Sequence, residues 1–248
     1  MEKTEEIWAG SRSVIRYCRT SYKPHMLKLL IFDLDGTLAN TAQDITDAIN
    51  YALKPFGTKT YSVEETKAMV GSGISKLLES LISPNITAHS DTSIEKENAC
   101  KIVTGRFLES YSNHLLDNTV TYPGVKETLE KLGEYTKAVL SNKREAYSCE
   151  ILEKLEIAHF FDTIWGSDSV REKKPSPAAI LDLLSRFNAS KEETAIIGDS
   201  NFDIEAGMAA GIKTIGVTYG FRSRESLNGA DYIIDSFEEI LTVLPKLE

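Results

Sequence analysis

Leu29-Leu30-Ile31-Phe32-Asp33-Leu34-Asp35-Gly36-Thr37-Leu38 sets two carboxylates where an apolar run breaks into a glycine turn. A run this rich in Leu, Ile and Phe reads as a strand covered on both faces, which has no room for unpaired charge. The two aspartates therefore demand a reason. Alternate residues of a strand share a face, so Asp33 and Asp35 converge on one point if extended geometry persists to the turn. Carboxylates that close repel unless a cation or a proton lies between them. Taken alone, Asp35-Gly36 is also an ordinary turn signal and Asp33 an ordinary strand-end residue. The acid pair, the Gly-Thr behind it and partners further along the chain weigh against that reading.

Beyond Thr37 the period changes from strand to helix. Ile45, Ala48, Ile49, Ala52, Leu53 and Phe56 recur at helical spacing, with Thr41 placed to cap the helix. Helical patterns continue over Val63 to Val70, Ile74 to Ile82 and Ile94 to Leu115, and nothing between Ala42 and Asn118 reads as a strand. Residues 42–118 are thus expected to form an inserted helical cap. Tyr122-Pro123-Gly124 marks the return to alternating structure. Strands are expected at Lys137 to Ser141, Thr163 to Gly166, Thr194 to Gly198, Lys213 to Val217 and Tyr232 to Ile234. Helices are expected at Val125 to Gly133, Glu145 to Leu155, Ser176 to Phe187, Asp203 to Ala210 and Phe237 to Leu244. Such alternation implies an α/β fold: a doubly wound, mainly parallel, Rossmann-like sheet built from residues 27–41 and 119–248. In such sheets ligands bind beyond the carboxyl ends of the strands.

At those ends stand Asp33 and Asp35, then Ser141-Asn142-Lys143, then Gly198-Asp199-Ser200 with Asp203. Four acids delivered to one edge imply a hard cation held by oxygen ligands, and Mg²⁺ suits carboxylates combined with a phosphate oxygen. Ser-Asn after a strand is ordinary turn chemistry by itself, and Asp199 or Asp203 alone could cap the following helix. A cation to balance the acids is available in Lys173-Lys174-Pro175-Ser176-Pro177, where Lys174 is the candidate; a lysine pair before prolines is more usually a solvated loop.

These motifs resemble the haloacid dehalogenase superfamily, whose phosphatases carry Asp-x-Asp-Gly-Thr at the end of the first core strand. Ser141-Asn142 is similar to the second motif, Lys174 to Pro177 to its Lys-Pro-x-Pro, and Gly198 to Ile204 to the acidic fourth. The Lys-Pro-x-Pro match favours Lys174 over Lys173. Tyr122 to Leu129, Ala209 to Ile212 and Gly229 to Tyr232 resemble the phosphoglycolate phosphatase-like branch, so the likeness runs from about Leu27 to the C-terminus. The resemblance implies an Asp33 nucleophile forming an aspartyl-phosphate and an Asp35 acid and base. It implies Mg²⁺ held by Asp33, the Asp35 carbonyl and Asp199, with Asp203 orienting the metal's shell. Gly36, Thr37, Ser141 and Asn142 would grip the phosphoryl group, Thr37 also supporting the turn by hydrogen bonding. Lys174 would pair with Asp33 and the phosphate. Gly71-Ser72-Gly73 is the cap loop expected to reach the substrate, although a plain helix-helix turn reads the same way. An acid at Asp35 points to phosphoryl transfer, since dehalogenases of this fold lack it. The expected substrate is a small phosphorylated metabolite, 2-phosphoglycolate first; an inorganic pyrophosphatase or a sugar phosphomutase would use the same residues.

Composition agrees. With 28 basic and 37 acidic residues the formal charge is −9, which gives nucleic acid or an anionic membrane surface no purchase. No apolar stretch approaches the roughly 20 residues that span a bilayer. Cys18, Cys100 and Cys149 are odd in number and lack Cys-x-x-Cys spacing, which fits a reducing cytoplasm without disulfides or zinc. The first 26 residues stand apart as an extension expected to be loosely ordered, docking through Ile7, Trp8, Val14 and Ile15. His25, His89, His114 and His159 fall outside the strand-end cluster. A monomer or homodimer is expected.

Overall fold

The computed structural model describes residues 26–86 and 93–247. The expected docking of Ile7, Trp8, Val14 and Ile15 lies outside the described residues, as do Cys18, His25 and His89. The chain opens with β1 (Leu29–Phe32), all four residues buried, as a strand covered on both faces should be. A short strand β2 (Ala39–Asn40) leads into four helices: α1 (Ala42–Leu53), α2 (Val63–Met69), α3 (Ile74–Ile86) and α4 (Ser93–Asn113). Strand β3 (Val120–Thr121) brings the chain back, antiparallel to β2. There follow α5 (Val125–Lys131), β4 (Thr136–Leu140), α6 (Glu145–Lys154), β5 (Thr163–Trp165), α7 (Ala178–Phe187) and β6 (Thr194–Gly198). The chain ends with α8 (Asn201–Ala210), β7 (Lys213–Val217), β8 (Tyr232–Ile234) and α9 (Ile240–Leu247).

Six strands form one parallel sheet in the order β5-β4-β1-β6-β7-β8. Strand β1 pairs with both β4 and β6, so Asp33 sits one residue past the centre of the sheet, between the ends of its two neighbours. The chain reverses direction across the sheet at this point, which is where a doubly wound fold opens a crevice. Phe32 packs on Phe161 and Phe237 on one face, while Leu29 and Ile31 join the separate cluster of α7 and α8 on the other.

The two-residue ribbon of β2 and β3 is the one pairing the sequence did not betray; strands this short carry no period to read. Asp44 on α1 braces it. Its carboxylate accepts from the Asn118 amide at 2.9 Å, Asn118 Nδ2 at 2.8 Å, the Thr119 amide at 2.9 Å and Thr119 Oγ1 at 2.7 Å. Both chain crossings into the helical insertion are thereby tied together. Within the insertion, Val103, Phe107 and Tyr111 recur every fourth residue on α4 and are buried, as a packing stripe requires. Against it α1 turns Ile45, Ala48, Ile49 and Ala52 inward.

Some expected boundaries move. Helix α8 begins at Asn201 rather than Asp203, because Ser200 caps it. Helix α7 begins at Ala178 rather than Ser176, since Pro177 stands at its N-cap. The expected last helix starts as a 3₁₀ turn, Phe237–Glu239, before α9. Thr41 precedes α1 but makes no side-chain cap; its hydroxyl is used elsewhere.

Candidate active site

Asp33, Asp199 and Asp203 arrive from the ends of β1 and β6 and the first turn of α8, and one oxygen of each lies within 4.8 Å of the others. All three are buried. The cation expected among the lysines is Lys174: its Nζ lies 2.9 Å from Asp33 Oδ1 and donates to Asp203 Oδ1 at 2.6 Å and to the Leu140 carbonyl at 2.6 Å. Lys173 is exposed. Apart from Lys174, Asp33 Oδ1 has no partner among the described residues. Asp203 has both oxygens engaged, since Oδ2 accepts from Ser200 Oγ at 2.6 Å to close a capping box. The capping reading of Asp203 and its membership of the cluster both hold. It serves the cluster chiefly by holding Lys174.

Burial dominates the electrostatics. Asp33 is pushed up to about 7, first by burial, against the opposing pull of Lys174 and with help from Asp203 and Asp35. Asp199 is raised well above the ordinary carboxylate range by burial and then by Asp203 and Asp33. Burial works to lower Lys174, but the Asp203 and Asp33 carboxylates outweigh it and keep the ammonium charged. One lysine thus faces three acids in a space poor in water. Gly36, at φ 86°, permits this crowding: a Cβ there would overlap the Asp199 carboxylate.

Asp35 points into a different setting. Thr41 Oγ1 donates to its Oδ1 at 2.5 Å, which is where the expected helix cap went. Lys143 Nζ lies 3.2 Å from the same oxygen and donates to Tyr111 Oη at 2.7 Å, with the ammonium 4.7 Å from the Tyr111 ring centre. Burial opposes Lys143's charge, yet Asp35 and Tyr111 hold it above the usual lysine value. Lys143 was legible only as part of the run closing β4. Its position beside Ser141-Asn142 is the signal that could have singled it out.

Two cavities meet at Asp35. The smaller, about 40 Å³, is lined by Asp33, Asp35, Ser141, Asn142, Asp199 and Ser200 among others. The larger, about 230 Å³, lies between core and helical insertion. Ser141 and Asn142 therefore reach the place expected of them. Asn142 Nδ2 also donates to the Gly71 carbonyl at 2.8 Å and to the Lys174 carbonyl at 3.0 Å. Gly71 and Gly73 line both cavities; Ser72 lines neither. Gly36 and Thr37 line neither as well. The Thr37 hydroxyl is buried without a partner among the described residues, so its support of the turn comes from the backbone: its amide donates to the Leu34 carbonyl and its carbonyl accepts from Tyr219 Oη at 3.0 Å. His114 and His159 are exposed.

The loop after β7 went unread in the sequence. The Phe221 amide donates to Asp199 Oδ2 at 2.6 Å, while Arg222 donates to the carbonyls of Ala68 and, at 2.7 Å, Val70. A cation at the end of α2 is favourably placed for those last carbonyls. No local pattern announces it, because its partners lie about 150 residues away. Arg222→Ala, which removes both bonds, is expected to quicken amide exchange across residues 68–73 at least roughly tenfold, the worth of one charge-assisted bond. Unchanged exchange, measured by mass spectrometry, would place the hold on this loop elsewhere.

Comparison with known proteins adds ancestry to this geometry. Residues 30–217 match the family model described as haloacid dehalogenase-like hydrolase. The curated phosphoglycolate phosphatase of Vibrio parahaemolyticus is 35% identical over 222 residues, 88% of this chain and 96% of that protein. That of Aliivibrio fischeri is 32% identical over the same shares. The crystal structure of a predicted phosphoglycolate phosphatase from Haemophilus somnus superposes with a TM-score of 0.81 at 32% identity, over 88% of this chain and 97% of its own. A predicted phosphatase from Clostridium acetobutylicum gives 0.73 at 25% identity, over 89% and 99%. With more than half its length matched by the model and relatives above 30% identity along nearly their whole length, the chain belongs to the haloacid dehalogenase-like hydrolases.

Proposed function

We propose that this phosphatase hydrolyses phosphate monoesters with Mg²⁺ bound, through an aspartyl-phosphate on Asp33, and that 2-phosphoglycolate is the first substrate to try. One observation carries the reading. Asp35 lines both cavities, so a phosphoryl group beside Asp33 places its bridging oxygen next to a second carboxyl group. Residues 42–118 act as the cap and residues 27–41 with 119–248 as the core, joined at the two-stranded ribbon.

Asp33 and Asp199, with the Asp35 carbonyl, are the groups that would hold the ion. They fit it: buried acids raised by their burial, and, among the described residues, Lys174 alone against the carboxylates of Asp33, Asp199 and Asp203. Bound there, Mg²⁺ offsets the negative charge of carboxylates and phosphoryl oxygens. Asp33 must be ionised to attack, and Lys174 at 2.9 Å favours that form. Asp33 attacks phosphorus; Asp35 donates its proton to the departing alcohol oxygen, then takes one from the water that cleaves the aspartyl-phosphate. Thr41 and Lys143 fix Asp35 for this exchange. Ser141 and the Asn142 amide, in the lining of the smaller cavity, would grip the phosphoryl oxygens. The cap shields the intermediate from bulk water.

Phosphate release from 2-phosphoglycolate, other phosphate esters and pyrophosphate, assayed with and without Mg²⁺, tests the proposal. Borohydride trapping during turnover should mark the peptide containing Asp33. Release without Mg²⁺, or a trapped label elsewhere, contradicts it. Turnover that needs a bisphosphate activator and frees no phosphate would instead indicate a phosphomutase.

A pH effect follows from the buried acid. Between its unfolded value of about 4 and its folded value of about 7, the unfolded chain has released the Asp33 proton while the folded protein keeps it. Metal-free protein therefore loses stability as pH rises through that window. Mg²⁺ at a hundredfold excess over its Kd would add about 2.7 kcal/mol. Its upward shift of Tm should be larger at pH 8 than at pH 5, because protonated carboxylates do not bind the ion. Equal shifts in a thermal-melt series would refute this.

A further inference from the structure

The larger cavity is oversized for glycolate. An engineered apolar cavity of roughly 150 Å³ in another protein accommodates benzene, so a cavity of about 230 Å³ has room for about nine non-hydrogen atoms. Beyond its ester oxygen, glycolate offers only a methylene and a carboxylate. The walls are unsuited to so small and polar a group. Phe107 and Tyr111 stack with ring centres 5.3 Å apart, Tyr147 meets Tyr111 edge-on at 5.5 Å, and Ile74 and Leu77 complete an apolar side. Such edges and faces suit a planar group.

The same cavity also carries cations. Lys173 and Arg144 line the same cavity, and neither has an ion-pair partner among the described residues. Lys173 Nζ lies close against Gly73, since a Cβ there would stand 3.3 Å from it. The acids in the wall are Asp35, already held by Thr41 and Lys143, and Asp168, which accepts from the Glu145 amide at 2.8 Å. Tyr111 Oη accepts from Lys143, leaving its own proton without an acceptor among the described residues.

We propose that this cavity takes the alcohol portion of phosphate monoesters larger than a two-carbon acid: a planar or apolar body against the aromatic wall, with an anionic group facing Lys173 and Arg144. This rests on the phosphomonoesterase reading and alters only the identity of the alcohol.

Four-carboxybenzyl phosphate, benzyl phosphate and 2-phosphoglycolate, all esters of primary alcohols, separate the contributions. kcat/KM for the carboxybenzyl ester should exceed that for 2-phosphoglycolate at least roughly tenfold, because several more carbons are buried. It should exceed that for benzyl phosphate roughly threefold, the worth of a partly exposed ion pair. Lys173→Met should erase the second margin and leave benzyl phosphate unaffected. Equal or better turnover of 2-phosphoglycolate overturns the proposal. So does a carboxylate margin untouched by Lys173→Met and by Arg144→Met. If no ester is hydrolysed, the phosphatase reading fails, and the cavity is judged separately by calorimetry. There the phosphonate analogues, with CH₂ replacing the ester oxygen, are titrated into Mg²⁺-loaded protein. The carboxyaryl analogue must bind at least roughly tenfold more tightly than 3-phosphonopropionate; equal affinity overturns the proposal.

Discussion

Asp33→Asn is expected to lower kcat by at least roughly four orders of magnitude, because in the proposed mechanism Asp33 is the group that takes the phosphoryl group. The fold should survive the change unharmed. A neutral amide at a site where burial already disfavours a carboxylate removes a source of strain, and Lys174 keeps Asp203 as its partner. Thermal melting without Mg²⁺ should therefore show a Tm equal to or above that of the unaltered protein. Loss of turnover together with a fallen Tm would mean the residue is structural. Turnover within tenfold of normal would remove Asp33 from the nucleophile's role.

Lys174→Met has the opposite signature, a large effect on both properties. Its ammonium is the only counter-charge within hydrogen-bonding reach of Asp33 and Asp203 among the described residues, and Asp203 is fully buried. Breaking a buried pair by removing one partner typically costs about 3–5 kcal/mol. For a chain of this size that corresponds to a fall in Tm of about 6–20 °C. Activity should fall with it, since Asp33 loses what favours its ionised form. The double variant Lys174→Met with Asp203→Asn, which removes the stranded charge, should regain part of the lost Tm. A single variant melting within a few degrees of normal would show that water reaches the cluster and screens it.

What was legible in the sequence follows from where information is local. All six strands of the sheet declared themselves as apolar runs, and a parallel sheet delivers the residues after each strand to one edge. Asp33, Ser141 and Asp199 could therefore be brought together without coordinates. Lys174 was a candidate from its place before a helix, but the resemblance weighed in its favour over Lys173, because a lysine pair before proline is ordinary loop composition. The residues that escaped are those whose partners come from the other side of the cap boundary. Lys143 meets Tyr111 across 32 residues and Arg222 meets Val70 across 152, and in neither case does the local pattern hint at the partner. Thr41 departs from the expected cap for a related reason. A hydroxyl beside a helix start or a turn has several nearby partners on offer, and only the position of Asp35 decided which one Thr41 took.

The ribbon joining Ala39–Asn40 to Val120–Thr121 carries a consequence for descent. Because departure and return of the chain are neighbours in a ladder, the whole helical excursion hangs from the sheet like a drawer on one pair of runners. Such an excursion can lengthen, shrink or be exchanged without altering the spacing of the strands behind it. Taste for one alcohol or another can then drift freely between lineages while the phosphorus chemistry stays put.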